Sequence, residues 1–545
     1  MATARQASQR TPTPTVASMR LKFGGGINSR ASAVDIDPRE CSDGQNFELQ
    51  RGNSEMRVRR PVELLGTAPN GLEIRGFVNL LKSDGTVTAL VQAGGQVYTW
   101  DGAETFTALT TVDSASKLRG PLRHAWPLDD LVIVTDLTKT EVVKTWNGTS
   151  LSDISFLQSD GSTAFGSNVY AKYCVVEDER VWLGNITAGS NTPHLIVGSQ
   201  RGSYTIISSS DRPSSSLSDE DPFFLIQPDY RPINGFVSAF GNLLTSSENG
   251  GVFTITGSTA QDFAFRQFFP RSGARGNESV VVTGNDVIYG RVGRIESLRD
   301  TDRFGDVESN DLSLWISDKV EDYKDWTLAY NVRTQTLYAF PTNGSECFVY
   351  FDQMRDTNLS PWSRYTSTAN FDMQPTAVMS MLSPADGLEY VIMGDASGNV
   401  FRMEGSTGNT SFPKGDVGGQ FVRCERLSGV LTIPEDQQFF DVRGFISHRS
   451  EYAATVTLRF EVSGESVFDR ELTIEIPAVS YDTVFGGEVY FNDGSVFGTA
   501  FDGRLRRRRF GVAGLGNQLQ VRASVESNLP FQIEEIFLEI AIAGP

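Results

Sequence analysis

The sequence predicts an all-β protein: a β-propeller of about six to eight blades, plus an antiparallel β-sandwich platform that the C-terminal region forms with an N-terminal hairpin. Three observations predict it. Helical periodicity is nearly absent, and short alternating runs are punctuated throughout by Gly, Asn, Asp and Ser. A Gly-x-Val-aromatic core recurs in GGQVYTW (94–100), NGGVFTI (249–255) and SGNVFRM (397–403). Val97, Val252 and Val400 lie 155 and 148 residues apart, each gap close to three blade-sized units of about 50 residues. Beyond residue 420 the alternating runs lengthen, as a sandwich with one buried face per sheet requires.

Taken in order, residues 1–20 are basic, rich in Ser, Thr and Pro, and free of acids. They lack an apolar signal core and read as a flexible arm that orders on assembly. Residues 21–64 carry a glycine triplet (24–26), a turn and a hairpin. The triplet reads as a flexible joint between arm and hairpin. Asp37 is placed to cap a short helical turn begun by Pro38, with Glu40 three residues after the cap. Phe47 and Leu49 share one face of QNFELQ, RGN (51–53) turns the chain, and Met56 and Val58 alternate with Arg57 and Arg59. This hairpin, about 44–61, is expected to pair with the C-terminal strands.

The propeller is expected over 65–405, with blades near 74–110, 122–156, 170–210, 233–270, 280–300 with 312–317, 326–368 and 375–405. Trp100 and Trp146, 46 residues apart, each end an apolar run before Asp-Gly or Asn-Gly, a blade echo. The polar stretch 288–313 reads as a long excursion from one blade. Residues 406–420, rich in Gly, Ser and Pro, read as a linker, and 421–545 as the sandwich. There Val456, Leu458, Phe460 and Val462 alternate with polar residues, as do Ile536, Leu538, Ile540 and Ile542.

Composition bounds the function. The 545 residues are 39% hydrophobic and 10% aromatic, enough for large cores, and carry a net charge of −19. Such acidity argues against general nucleic-acid binding and against attraction to anionic membranes. No apolar stretch is long enough for a transmembrane helix. The four cysteines, Cys41, Cys174, Cys347 and Cys424, form no CxxC pair and read as small buried hydrophobes with free thiols in a reducing cytoplasm. The three histidines, His124, His194 and His448, do not cluster. No cofactor or metal site is expected. The triplet is not followed by a phosphate-loop lysine, and no GxSxG or HExxH occurs. GDASGNVF (394–401) only partly matches a sialidase Asp-box, and Asp395 and Gly398 read as shaping a blade turn. No catalytic residues are assigned.

The densest charge is RLRRRRF (504–510), with Arg504, Arg506, Arg507, Arg508 and Arg509. Its arginines could contact phosphates of passing DNA, pair with acidic surfaces of a neighbouring subunit, or keep an edge strand solvated. On so acidic a chain, pairing outweighs DNA contact, and these five are the candidate inter-subunit residues.

The opening FGGGINSRASAVDIDPRECSDGQNFEL (23–49) resembles the start of tail proteins of short-tailed bacteriophages, through Gly25, Gly26, Ile27, Asn28, Pro38, Glu40, Asn46 and Phe47. NDVIYGRVGRIESL (285–298), the Trp362-Ser363-Arg364 ending of 349–365, and the arginine-rich strand before GNQLQVRASVESNLPFQIEEIFLEI (516–540) extend the likeness in order along the chain. The resemblance implies the tail nozzle, or tubular tail protein: a non-enzymatic six-fold ring in the virion, below the portal and adaptor. Such a ring gates and conducts DNA on ejection. Implied partners are five further copies, the adaptor or portal-side ring, tail fibres or tail-tip proteins, and double-stranded DNA by weak contact. Assembly would take place in the host cytoplasm. The competing reading is a propeller-based receptor-binding or polysaccharide-degrading tail spike.

Overall fold

In the computed structural model the short strands assemble into seven consecutive blades, each opened by one inner strand; the first two join into one eight-stranded sheet through the parallel pairing of Arg119 with Phe77. The openers are Ile74–Leu81, Leu118–Arg119, Val169–Glu177, Ile233–Ala239, Val280–Thr283, Trp326–Asn331 and Ala377–Leu382. The structure describes residues 15–404 and 422–543, apart from 477–505 and shorter internal stretches such as 121–125 and 301–306. The chain divides into two compact units: Pro61–Tyr350 with Thr366–Thr407, and Met1–Arg60 with Phe351–Tyr365 and Gly408–Pro545.

The first unit is a closed seven-bladed propeller. Successive inner strands lie against one another, except that blade two meets blade three through its second strand, Val132–Asp136, and the seventh returns to the first. Asn79 Nδ2 donates to the Leu382 carbonyl at 3.1 Å, and Thr376 Oγ1 donates to the Ile74 carbonyl at 2.6 Å, tying the last blade to the first. Closure also uses the chain's start: Glu63–Thr67 pairs with Asn399–Arg402 as the fourth strand of the seventh blade. Leu64 and Gly66 therefore belong to the last blade, and the boundary falls at Pro61 rather than at 65. Gly66 fits there because a Cβ would stand 2.8 Å from the Ala103 carbonyl.

The repeats seen in sequence are positional equivalents. Val97, Val252 and Val400 sit on the third strands of blades one, four and seven, and all are buried. Trp100 and Trp146 end the third strands of blades one and two. Asp101 and Asn147 then turn the chain, their side-chain oxygens accepting from Ala103 N (2.8 Å) and Thr149 N (2.9 Å), with Gly102 and Gly148 at positive φ. Asp395 likewise accepts from Ser397 N and Asn399 N, both at 2.8 Å. Apolar cores lie between blades seven and one and between each successive pair from one to five, so blades one to four bury both faces. Two expectations need correction. Residues 288–313 are no excursion: Arg294–Asp300 and Val307–Asp311 are the third and fourth strands of blade five, and outer strands need few apolar residues. Leu312–Ile316 is a 3-10 turn, not a strand.

The second unit has two six-stranded sheets. In one, Gln532–Ala543 lies beside Gln438–Arg449, which pairs in turn with Arg506–Gly516. The hairpin formed by Phe47–Glu48 and Met56–Val58 joins this sheet through Met56↔Ile533. In the other, Asp43–Gln45 pairs with Val422–Leu427, which continues through Gln518–Ser527 and Ala454–Val462 to Arg470–Ile476. The alternation is read out in burial: Val456, Leu458, Phe460, Ile536, Leu538 and Ile540 are at most 1% exposed. Thr15–Leu21, assigned from sequence to a flexible arm, is instead a strand on the edge of Gln532–Ala543. It lacks an apolar run, and its order comes from backbone pairing to a long neighbour. Residues 1–14 and the expected linker 406–420 lie outside the described residues.

Candidate functional site

The candidate inter-subunit arginines fall on one strand. Arg506–Gly516 ends the path of its sheet, with Arg506 opposite His448, Arg507 opposite Ser447, Arg508 opposite Ile446 and Arg509 opposite Phe445. Arg504 lies outside the described residues. Ile446, Ser447 and His448 are buried, so the arginine run follows a well-packed strand. Among the described residues nothing pairs with its other edge. The geometry brings four of the five together and suits strand-edge or charge-mediated association.

The opening stretch forms the knot of the same unit. The Gly25 amide donates to the Arg39 carbonyl (3.0 Å), Gly26 N to the Ser360 carbonyl (2.6 Å) and Ile27 N to the Trp362 carbonyl (2.9 Å). A Cβ on Gly26 would stand 2.0 Å from the Trp362 carbonyl oxygen. The triplet is thus a site of close backbone approach, not a flexible joint; its glycines serve contact rather than motion. Asp37 caps a tight turn, not a helix, accepting from Arg39 N at 2.9 Å. The turn swings Glu40 inward, where Oε1 accepts from Ser360 N (2.5 Å) and Oε2 from Asn28 Nδ2 (2.7 Å). Burial raises the Glu40 carboxyl above its ordinary range.

Arg426 closes the knot and went unremarked in sequence. Its guanidinium donates to the carbonyls of Phe23 (2.9 Å), Arg39 (3.1 Å) and Gly25, and lies over the rings of Phe23 and Phe47. One arginine next to Cys424 carries no signal of that role; only the fold brings three carbonyls to it. Asn46 was seen only as half of a motif. It sits at φ 58°, donates to the Arg423 carbonyl (2.9 Å) and accepts from Arg59 Nε (3.0 Å). That conformation suits Asn better than most residues. All four cysteines are buried and free, and burial pushes the Cys41 thiol up to about 11.

In the propeller, polar side chains gather where the inner strands begin. Asp136 is fully buried; burial opposes its charge, but the N–H groups of Lys117, Thr138, Thr140 and Glu141 outweigh it and lower its pKa. Arg275 Nε meets Asp325 at 3.0 Å, and Arg119 pairs with Glu278. The two best-formed cavities hold about 10 Å³ each, one lined by residues such as Val237 and Tyr289, the other by residues such as Phe23 and Arg426. Both are far below the several hundred Å³, roughly, of a small-molecule site. Among the described residues, no group of three or more His, Cys, Asp or Glu could hold a metal, and no helix is long and apolar enough to cross a membrane.

No family model and no curated protein matches the chain. Solved structures do. The WD40 domain of Toxoplasma gondii coronin is 10% identical, over 68% of this chain and 92% of that one, at a TM-score of 0.37. The β-propeller domain of Myceliophteria thermophila Cps50 (Swd1) is 10% identical, over 64% and 100%, at 0.35. The computationally designed Ika8 protein is 11% identical, over 62% and 99%, at 0.33. The fold assignment rests on the closed ring of seven blades itself.

Proposed function

We propose that this chain is a structural subunit of a bacteriophage short tail: the nozzle, a six-fold ring below portal and adaptor that gates and conducts DNA during ejection. The observation that carries this reading is the unit built from both chain ends. It combines the opening motif, locked by Gly26, Glu40 and Arg426, with a C-terminal sheet that ends in the arginine strand. The ordered resemblance along the chain supplies the tail. An edge strand bearing Arg506–Arg509 on a chain of net charge −19 supplies a contact for a neighbouring copy. Six copies together carry about −114, and a strongly anionic lumen lets DNA slide with little adhesion. In this reading the protein resides in the virion after assembly in the host cytoplasm. It contacts the adaptor or portal-side ring and the fibres or tail-tip proteins, and performs no catalysis.

A symmetry-resolved reconstruction of the particle tests it. The expected result is six copies of this chain in the tail, below the adaptor; a tail without such a ring sinks the proposal. Incubation of the purified chain with host polysaccharide separates it from a degrading spike, since release of oligosaccharide would favour the spike.

A further inference from the structure

Five Asn-Gly dipeptides occur in the sequence, and four lie among the described residues: Asn70–Gly71, Asn147–Gly148, Asn234–Gly235 and Asn343–Gly344. Such a pair can modify itself. The glycine nitrogen, with no Cβ beside it, attacks the asparagine Cγ, and the covalent link between the two residues makes the step intramolecular. The fold decides which pair is free to react.

Three pairs are restrained. Asn70 donates from Nδ2 to the Ala93 carbonyl (2.9 Å), and Gly71 N donates to the Ala68 carbonyl (2.9 Å). Asn234 is buried and donates to the Ala274 carbonyl (2.6 Å), while Gly235 is held in its strand opposite Ser246. Gly344 N is spent on the Pro341 carbonyl (3.1 Å). Asn147–Gly148, in the turn after the third strand of blade two, differs at every reacting atom. Asn147 is exposed, and neither its Nδ2 nor Gly148 N makes a hydrogen bond among the described residues. Its Oδ1 accepts from Thr149 N (2.9 Å), Ser150 N (2.9 Å) and Ser150 Oγ (3.4 Å). Negative charge that develops on Oδ1 is therefore met by donors already in place. Lys82, which follows the inner strand of blade one, lies against the glycine: a Cβ on Gly148 would stand 2.9 Å from Lys82 Nζ. A cation so close favours the deprotonated nitrogen that attacks.

We propose that Asn147–Gly148 is a site of spontaneous deamidation through a cyclic imide. Gly148 N gives its proton to water and bonds to Asn147 Cγ. The Cγ–Nδ2 bond then breaks, and Nδ2 takes a proton from water and leaves as ammonia. Water opens the imide at either carbonyl, which leaves an aspartyl or isoaspartyl residue at position 147. The step needs water alone, and its product adds one carboxylate beside the Lys82 ammonium. The site is independent of the nozzle reading, and its failure leaves that reading untouched.

The full chain, aged in warm neutral buffer, is digested and mapped by mass spectrometry against an unaged control, with isoaspartyl methyltransferase labelling as the probe of the rearranged product. The expected result is conversion of Asn147 at least about tenfold faster than Asn343, with Asn70 and Asn234 slower still. Lys82→Met slows conversion at Asn147 by about threefold or more and leaves Asn343 unchanged, while Lys82→Arg retains the rate. A thermal melt confirms that Lys82→Met is folded. Conversion of Asn343 at the same rate as Asn147 or ahead of it overturns the proposal, as does an undiminished rate at Asn147 in Lys82→Met.

Discussion

At the residue scale, Gly26 shows how a sequence feature changes meaning once its surroundings are known. Every near neighbour of a Cβ placed there is backbone: Trp362 O at 2.0 Å, Trp362 N at 2.8 Å and Ser360 O at 2.9 Å. Backbone cannot swing aside as a side-chain tip can. Gly26→Ala should therefore cost the terminal unit about 3 kcal/mol or more, in the range of severe overpacking. Gly166→Ala, with nothing within 4 Å, should be neutral to about 0.5 kcal/mol. Urea titration of both variants checks this, and equal losses would deny the close approach.

Glu40 gives a second residue-scale prediction, one of sign. Burial raises its pKa above the model-compound value of 4.5, so the folded chain holds its proton where the unfolded chain has lost it. Its contribution is then fully present below the unfolded value and declines as pH rises through the folded one. Glu40→Gln removes this titration while keeping an acceptor for Ser360 N. The urea midpoint of the unmodified chain should fall, relative to Glu40→Gln, as pH rises above the ordinary glutamate value of 4.5. Parallel profiles would show that Glu40 ionises in the fold as it does in water.

At the element scale, the two tryptophans test whether blades are equivalent. Trp146 is buried in the core between blades one and two, with Val78, Val97 and Val134. Trp100 is buried in the core between blades seven and one, with Met379, Tyr390 and Val400. Each replacement by Ala should cost about 3–5 kcal/mol, and the costs should roughly add because the cores are distinct. Denaturant unfolding of the singles and the double measures this; a loss under about 1 kcal/mol at either site would break the equivalence.

The same elements show what the sequence could and could not convey. Blade spacing was legible because third strands carry a local signature: Gly for the turn, Val for the core, an aromatic for the neighbouring blade. The C-terminal strands were legible because one buried face imposes period two. Glu63–Thr67 was not, because membership of the seventh blade depends on a partner more than 330 residues away. Thr15–Leu21 was not, because backbone pairing to Gln532–Ala543 asks little of its side chains. The arginine run was visible as charge, but only topology places it at the end of a sheet. The Arg119–Glu278 ion pair was invisible, since its two residues lie far apart in sequence and only the ring of blades brings them together.

At the scale of the whole molecule, the proposed ring requires a chain of net charge −19 to associate with copies of itself. Like charge opposes closure of a ring, and the opposition weakens as salt screens it. In the proposed ring, the local run of arginine on a strand at the end of a sheet would offset this where two copies meet, and that attraction would be screened as well. The two terms are separable by mutation. Arg507→Glu with Arg509→Glu reverses the local attraction while adding to the general repulsion. On the proposed nozzle reading, the purified chain is expected to be largely monomeric alone and to close into a ring with the adaptor. The double variant should remain monomeric with adaptor at physiological salt and, where the arginines serve the contact rather than their own sheet, keep the melting temperature of the unmodified chain to within about 2 °C. Mass measurement by light scattering, with and without adaptor, reads the outcome. Unimpaired ring formation by the double variant would move the subunit contact away from this strand, and a lowered melting temperature would assign the arginines to the fold of their own sheet instead.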